Sequence, residues 1–173
     1  MALDRTSTLA GRLAGRGFGD PRRAAAVVET WLEHHEEDAV IRVMDQVMAA
    51  DDPDLALAAL VRLGEEDPAL LDEVLASPAF ARRVVRVLGG SVALGQHVAA
   101  HPDALAELRT EPVPRSAADL RAELLRAVGA DPQAVSPLAR AGAADDLRLA
   151  YRRALLRIAA RDLCAPEPVA VVA

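Results

Sequence analysis

Six times along the chain an Asp or a Ser stands directly before a proline: Asp20-Pro21, Asp52-Pro53, Asp67-Pro68, Ser77-Pro78, Asp131-Pro132 and Ser136-Pro137. A short oxygen-bearing side chain caps the free N–H groups of a helix's first turn, and proline, with its φ fixed and no N–H to donate, suits the first helical position. Each pair is therefore a start signal, and each proline opposes a helix running through it from upstream. A chain punctuated in this way has to be built from many short helices. Composition says what fills them: 38 residues are Ala and 24 are Leu, whereas Phe, Tyr and Trp together number four. Ala and Leu head the helix-propensity ranking, and strand formers are sparse, which excludes a large aromatic-lined sheet sandwich. The expected fold is all-α, a stack of short, thin, closely packed antiparallel helices.

Along the chain, residues 4–16 suit a short amphipathic helix broken by Gly15, Gly17 and Gly19. A long helix is expected from Pro21 to about Ala50, with Val27, Trp31, Val40, Met44 and Val47 at near-helical spacing and EHHEED, Glu33 to Asp38, as a candidate surface turn within it. Shorter helices follow over 53–63, 68–75, 78–88 and 91–100, with a turn at His101-Pro102. The stretch RTEPVPRS, residues 109–116, has two prolines one residue apart and reads as a linker between an N-terminal helical lobe (1–108) and a second helical segment (117–173). That segment holds a helix over 116–128, a loop rich in Gly, Pro and Ser, and the strongest helix, 145–163. In the last helix Leu149, Leu156, Ile158 and Leu163 supply apolar surface, and Arg148, Arg152, Arg157 and Arg161 make one side cationic. Residues 51–76 carry eight acids and one base, so docking of an acidic patch on a cationic one accounts for both without any further role. The closing APEPVAVVA starts an extended apolar run and stops, like an interrupted sequence.

A formal net charge of −6 argues against broad binding to a phosphate backbone, so nucleic acid is not an expected partner. The one cysteine, Cys164, excludes an intrachain disulfide framework and multi-cysteine metal motifs, and suits a reducing cytoplasm. No window approaches the roughly 20 apolar residues of a membrane-spanning helix.

Candidates for chemistry are weak taken singly. His97 and His101, four apart, could share a helix face with Asp103 or Glu107 nearby, yet HVAAH lacks the Glu of HExxH, and capping or packing is the preferred role. His34 and His35 sit among carboxylates, but adjacent helical residues point about 100° apart, which favours a solvated acidic face. Cys164 has no sequence-local His to act as its base. Gly89-Gly90-Ser91 has the Gly-Ser of nucleotidyltransferases without the downstream Asp-x-Asp, so Ser91 reads as an N-cap and Gly89 and Gly90 as a helix end. Asp52-Pro53-Asp54 is Asp-x-Asp, but its proline marks a helix start. Phosphate-loop, dinucleotide and hydrolase signatures are absent. No catalytic, cofactor-binding or metal-binding residue is assigned in this chain.

Motif order is more telling. GFGDPRRAA, PDLALAALVRL, LGGSVALGQHVAAHPDAL, LRAELLRAVGADP and YRRALLRIAARDL together resemble the N-terminal region of the bifunctional glutamine synthetase adenylyltransferases and deadenylylases of actinobacterial type, over about Leu9 to Leu163. The resemblance implies two nucleotidyltransferase units joined by helical structure. One removes AMP from a glutamine synthetase tyrosine by phosphorolysis, and the other adds AMP from ATP. It implies magnesium or manganese, ATP, AMP and phosphate as the full-length enzyme's cofactors and reactants, with glutamine synthetase and a PII-class signalling protein as partners. Gly89, Ser91, Gly95, His97, His101 and Pro102 match a helical motif of the family. Arg153, Arg157, Arg161 and Asp162 match the helix leading toward an α/β core absent from this chain. Any of the three arginines could position phosphate or a partner carboxylate, or could solvate the helix and pair with acids. The expectation is an inactive helical fragment, from experimental shortening or an incomplete gene product. A non-enzymatic interaction module and a small metal-dependent enzyme using His97 and His101 are the alternatives.

Overall fold

A computed structural model describes residues 8–164, and over these the chain is all-α. Ten α-helices and one 3-10 turn follow in order among the described residues. They are α1 (Leu9–Ala14), α2 (Pro21–His34), α3 (Glu37–Met48), α4 (Pro53–Glu66), α5 (Pro68–Ala76), α6 (Pro78–Gly90), α7 (Val92–Ala100), the 3-10 turn (Pro102–Leu105), α8 (Ala106–Arg109), α9 (Ala117–Ala127) and α10 (Ala144–Cys164). Two compact units result, Met1–Leu105 and Ala106–Ala173. The expected helix over 4–16 is seen from Leu9, and the terminal APEPVAVVA lies outside the described residues.

The start signals act as capping chemistry requires. Asp20, Asp52, Asp67 and Ser77 each accept a first-turn backbone N–H, from Arg23 (3.1 Å), Leu55 (2.9 Å), Ala69 (3.0 Å) and Phe80 (3.4 Å), and each is followed by proline at the first helical position. Such a cap contributes about 1 kcal/mol. Asp131-Pro132 behaves differently. Its carboxylate accepts the Gln133 N–H at 2.9 Å, but only a turn follows, because Ser136-Pro137 removes another donor before a second helical turn can close. The expected long helix from Pro21 also divides. His35 and Glu36 are extended, while Glu37 and Asp38 in the first turn of α3 favour a new N-terminus through the helix dipole.

In the first unit α6 is the central element, packing against α3, α4, α5 and α7. Its residues Phe80, Ala81, Val84, Val85, Val87 and Leu88 are buried on one broad apolar side, with Ala79 and Arg82 exposed on the other. Val40, Val43 and Val47 of α3 and Ala56, Leu60 and Leu63 of α4 complete the core. Ala at these positions lets helix axes approach closely. In the second unit α10 packs against α8 and α9, burying Leu156, Ala154 and Ala160. Ile158, expected to contribute to that apolar surface, is 41% exposed, because it stands just past the edge of the buried side, one turn beyond Ala154. Val128, Ala130 and Ala143 form a small separate cluster with Leu125.

Candidate functional site

The strongest polar arrangement in the second unit is a guanidinium held between two carboxylates. Arg157, on the fourth turn of α10, donates from one terminal nitrogen to Glu107 Oε2 (2.7 Å), and from the other to Glu123 Oε1 (2.6 Å) and Oε2 (2.8 Å). Glu107 lies in the short α8, and Glu123 lies on α9. The position of Glu123 follows from the start of α9, where Ser116 and Asp119 form a reciprocal capping box. Arg115, just ahead of that cap, also donates to Glu123 at 2.9 Å.

The Arg157, Glu107 and Glu123 side chains are only 18%, 24% and 27% exposed. Burial is the largest single influence on Arg157 and favours its neutral form. The hydrogen bonds to Glu107 and Glu123 outweigh it and hold the pKa above the ordinary value. The two terminal nitrogens of the planar fork reach one acid each, Glu107 and Glu123, which the single ammonium of Lys cannot reproduce. Chemically the arrangement is a permanent charge fastening α8, α9 and α10, with both terminal nitrogens already engaged by acids of the same unit. Arg153 and Arg161 are half-buried on the same helix. Arg148, further toward its start, pairs with Asp145.

The other sequence candidates serve local structure. Ser91 caps α7, accepting the Leu94 N–H at 3.3 Å. Gly89 lies where an added Cβ would stand 2.9 Å from the Ala56 Cβ and 3.1 Å from that of Ala50, so its lack of a side chain sets how closely α6 meets the start of α4. Gly95 borders a small gap with Leu63, Leu88, Val98 and Pro102. His97 and His101 hold their rings 5.0 Å apart, and the His101 N–H closes α7 on the His97 carbonyl at 2.9 Å. Pro102 opens the 3-10 turn.

Among the described residues no three His, Cys, Asp or Glu side chains gather where they could hold a metal ion. Asp52 and Asp54, the one Asp-x-Asp considered, are both engaged: Asp52 caps α4, and Asp54 accepts the Gly19 N–H at 2.6 Å. His35 Nδ1 lies 3.3 Å from Asp72, and His34 Nδ1 lies 2.9 Å from the Thr30 carbonyl. The described residues thus do not fit a divalent metal ion. Sequence reasoning missed the partners of Arg157: Glu107 was weighed beside the histidines, and Glu123 was not singled out. It also missed Arg83 of α6, 4% exposed. No described helix is long and apolar enough to cross a membrane.

Fold and site together define an all-α segment whose charged residues tie helices to one another. Over 99% of its length the chain is 39% identical to the bifunctional glutamine synthetase adenylyltransferase/adenylyl-removing enzyme of Cutibacterium acnes, and 37% identical to that of Streptomyces avermitilis. Over 88% of its length it is 32% identical to the Mycobacterium tuberculosis enzyme. It spans only 16–17% of these relatives. The chain therefore matches a fragment of the actinobacterial bifunctional glutamine synthetase adenylyltransferases. No family model matches the chain, and no solved structure does.

Proposed function

We propose that this chain is the N-terminal helical segment of a cytoplasmic enzyme that adenylylates glutamine synthetase and removes the AMP by phosphorolysis, and that it scaffolds the removing unit without being active itself. The observation that carries the reading is similarity along 99% of the chain to enzymes of which it spans about a sixth. In the forward reaction the tyrosyl oxygen attacks the α-phosphorus of ATP and pyrophosphate leaves. In the reverse, inorganic phosphate attacks the AMP phosphorus, the phosphorus–tyrosyl oxygen bond breaks, and ADP and the free hydroxyl result. Magnesium or manganese would stabilise charge on the transferring phosphorus in either direction. The reading assigns that metal, the nucleotide and a PII-class regulator to other parts of the complete enzyme, since the carboxylates described here are caps and ties. Within this segment Arg157 holds α8, α9 and α10 in one arrangement.

The test is to express the complete reading frame and residues 1–173 side by side, and to measure AMP release from adenylylated glutamine synthetase with phosphate and a divalent metal ion. Activity in the complete protein and none in the chain is expected. Activity in neither defeats the reading and leaves a non-enzymatic helical interaction module. Arg157→Leu and Arg161→Leu in the complete protein, with helical content measured in parallel, test direct contact with phosphate or partner. Unchanged phosphorolysis with the fold retained excludes it.

A further inference from the structure

The corner between α2 and α3 is held differently from the helix starts that follow it. Helices α4, α5 and α6 each begin under an Asp or Ser side chain that accepts a first-turn N–H, whereas Glu36, at the cap position of α3, makes no such bond. At the corner His35 and Glu36 are extended, and the His35 N–H closes α2 on the Trp31 carbonyl at 2.9 Å. The His35 ring reaches α5, where its Nδ1 lies 3.3 Å from Asp72 Oδ1. That side chain is 21% exposed, while the neighbouring His34 is open to solvent.

Beside this contact runs an open groove of about 520 Å³. The titratable groups that line it with His35 are Glu33 and His34 from α2, Glu36 from the corner and Asp72 from α5; α3 contributes Ala39, and no Lys or Arg is among the lining residues. A neutral imidazole in this wall has only a polar approach to Asp72. A charged one gains an ion pair where the other formal charges are all negative. Asp72 is 64% exposed, which keeps that gain within the range of a surface pair. We infer that His35 is a proton-operated latch: the charged ring fastens the α2–α3 corner to α5 through Asp72, and the neutral ring releases it. The sign follows from which form is attracted. The contribution is present on the acid side of the ordinary histidine range, about pH 6–7, and is lost as the pH rises through it, while the carboxylates stay ionised throughout. The latch belongs to this chain whether or not the enzyme reading holds.

Amide hydrogen exchange tests it in the 173-residue chain at about pH 5.5 and about pH 7.5, each rate divided by that of an unstructured peptide at the same pH. The amides to follow are those of His35, Ala39 and Val40, whose bonds to the Trp31 and Glu36 carbonyls close the end of α2 and the start of α3. Their protection should be about two- to fivefold greater at the lower pH, as a surface ion pair supplies. Asp72→Asn, at an exposed position, should abolish the difference, as should His35→Gln, and His34→Gln should leave it. Equal protection at the two pH values overturns the inference, since the neutral ring then holds Asp72 as well as the charged one does. A difference that survives Asp72→Asn, or that disappears in His34→Gln, overturns it by assigning the effect to another histidine. A change of the same size at Leu60, buried in α4, overturns it by assigning the effect to the unit as a whole. If His35→Gln loosens the whole unit, the Asp72→Asn comparison decides alone.

Discussion

One methyl group added at three glycines of the first unit tests how its helices approach one another. At Gly89 the new Cβ would stand 2.9 Å from the Ala56 Cβ, 3.1 Å from the Ala50 Cβ and 3.4 Å from the Asp52 carbonyl oxygen. All three neighbours are fixed to backbone, so no rotamer change relieves the contact and α6 has to move off the start of α4. Overpacking of this kind costs about 1–3 kcal/mol. The propensity gain from Gly to Ala, about 1 kcal/mol in a helix interior, is smaller at the penultimate residue of α6. Gly89→Ala should therefore destabilise by about 1–2 kcal/mol. At Gly64 the closest atom, 2.8 Å away, is the Leu71 Cδ2, the far end of a side chain that can turn, at about 0.5–1.5 kcal/mol if pushed off its rotamer. That cost and the propensity gain nearly cancel. At Gly95 nothing lies within 4 Å, and Gly95→Ala in the interior of α7 should stabilise by about 1 kcal/mol. Trp31, the sequence's one tryptophan, is buried in α2 of the same unit and reports on all three. With a urea dependence of about 1–3 kcal/mol/M, Gly89→Ala should lower the fluorescence midpoint by roughly 0.5–1 M, and Gly95→Ala should raise it by roughly half as much. A Gly89→Ala midpoint at or above that of the unsubstituted chain would refute the close approach of α6 to α4.

Arg157→Met should destabilise the second unit by about 2 kcal/mol, between the 0–1 of an exposed pair and the 3–5 of breaking a fully buried one. Hydrogen exchange in α9 and α10 measures it, with partial recovery on adding Glu123→Gln; a loss under about 0.5 kcal/mol would mean that water solvates the carboxylates as well as Arg157 does. Asp119 gives a pH dependence. The Ser116 hydroxyl first, then the Ser116 N–H, hold its pKa below its ordinary 3.8. Its contribution to the start of α9 is fully present above that ordinary value and is lost as pH falls through the lowered one. Carboxyl titration by NMR should place Asp119 below 3.8 and return it toward that value in Ser116→Ala; no difference between the two proteins would count against the capping box.

The division between what was legible and what was not follows the range of the interactions. Asp20, Asp52, Asp67, Ser77 and Ser91 were readable because a cap acts within three residues, and the helices they start lie where the sequence puts them. Asp131 shows the limit, since the same local signal made a turn once Pro137 stood too close behind it. The break at His35-Glu36 was visible as an interruption without the extent of the separation. The Arg157 clasp was out of reach because its acids lie 34 and 50 residues away, and one Glu among many carries no mark of its partner. The close approach at Gly89 carries no separate mark in the sequence, because Gly serves equally as a helix end and as a point of contact.

These interactions also bear on where the segment can act. Three of the carboxylates weighed as candidates for chemistry are already in use: Asp52 caps α4, Asp54 holds Gly19, and Glu107, together with Glu123, holds Arg157. Recruiting any of them to a metal or a phosphate would release a cap, free a loop or strand a half-buried arginine, at a cost of about 1–5 kcal/mol. For a segment that spans about a sixth of its relatives, these carboxylates are spent on holding its own helices together.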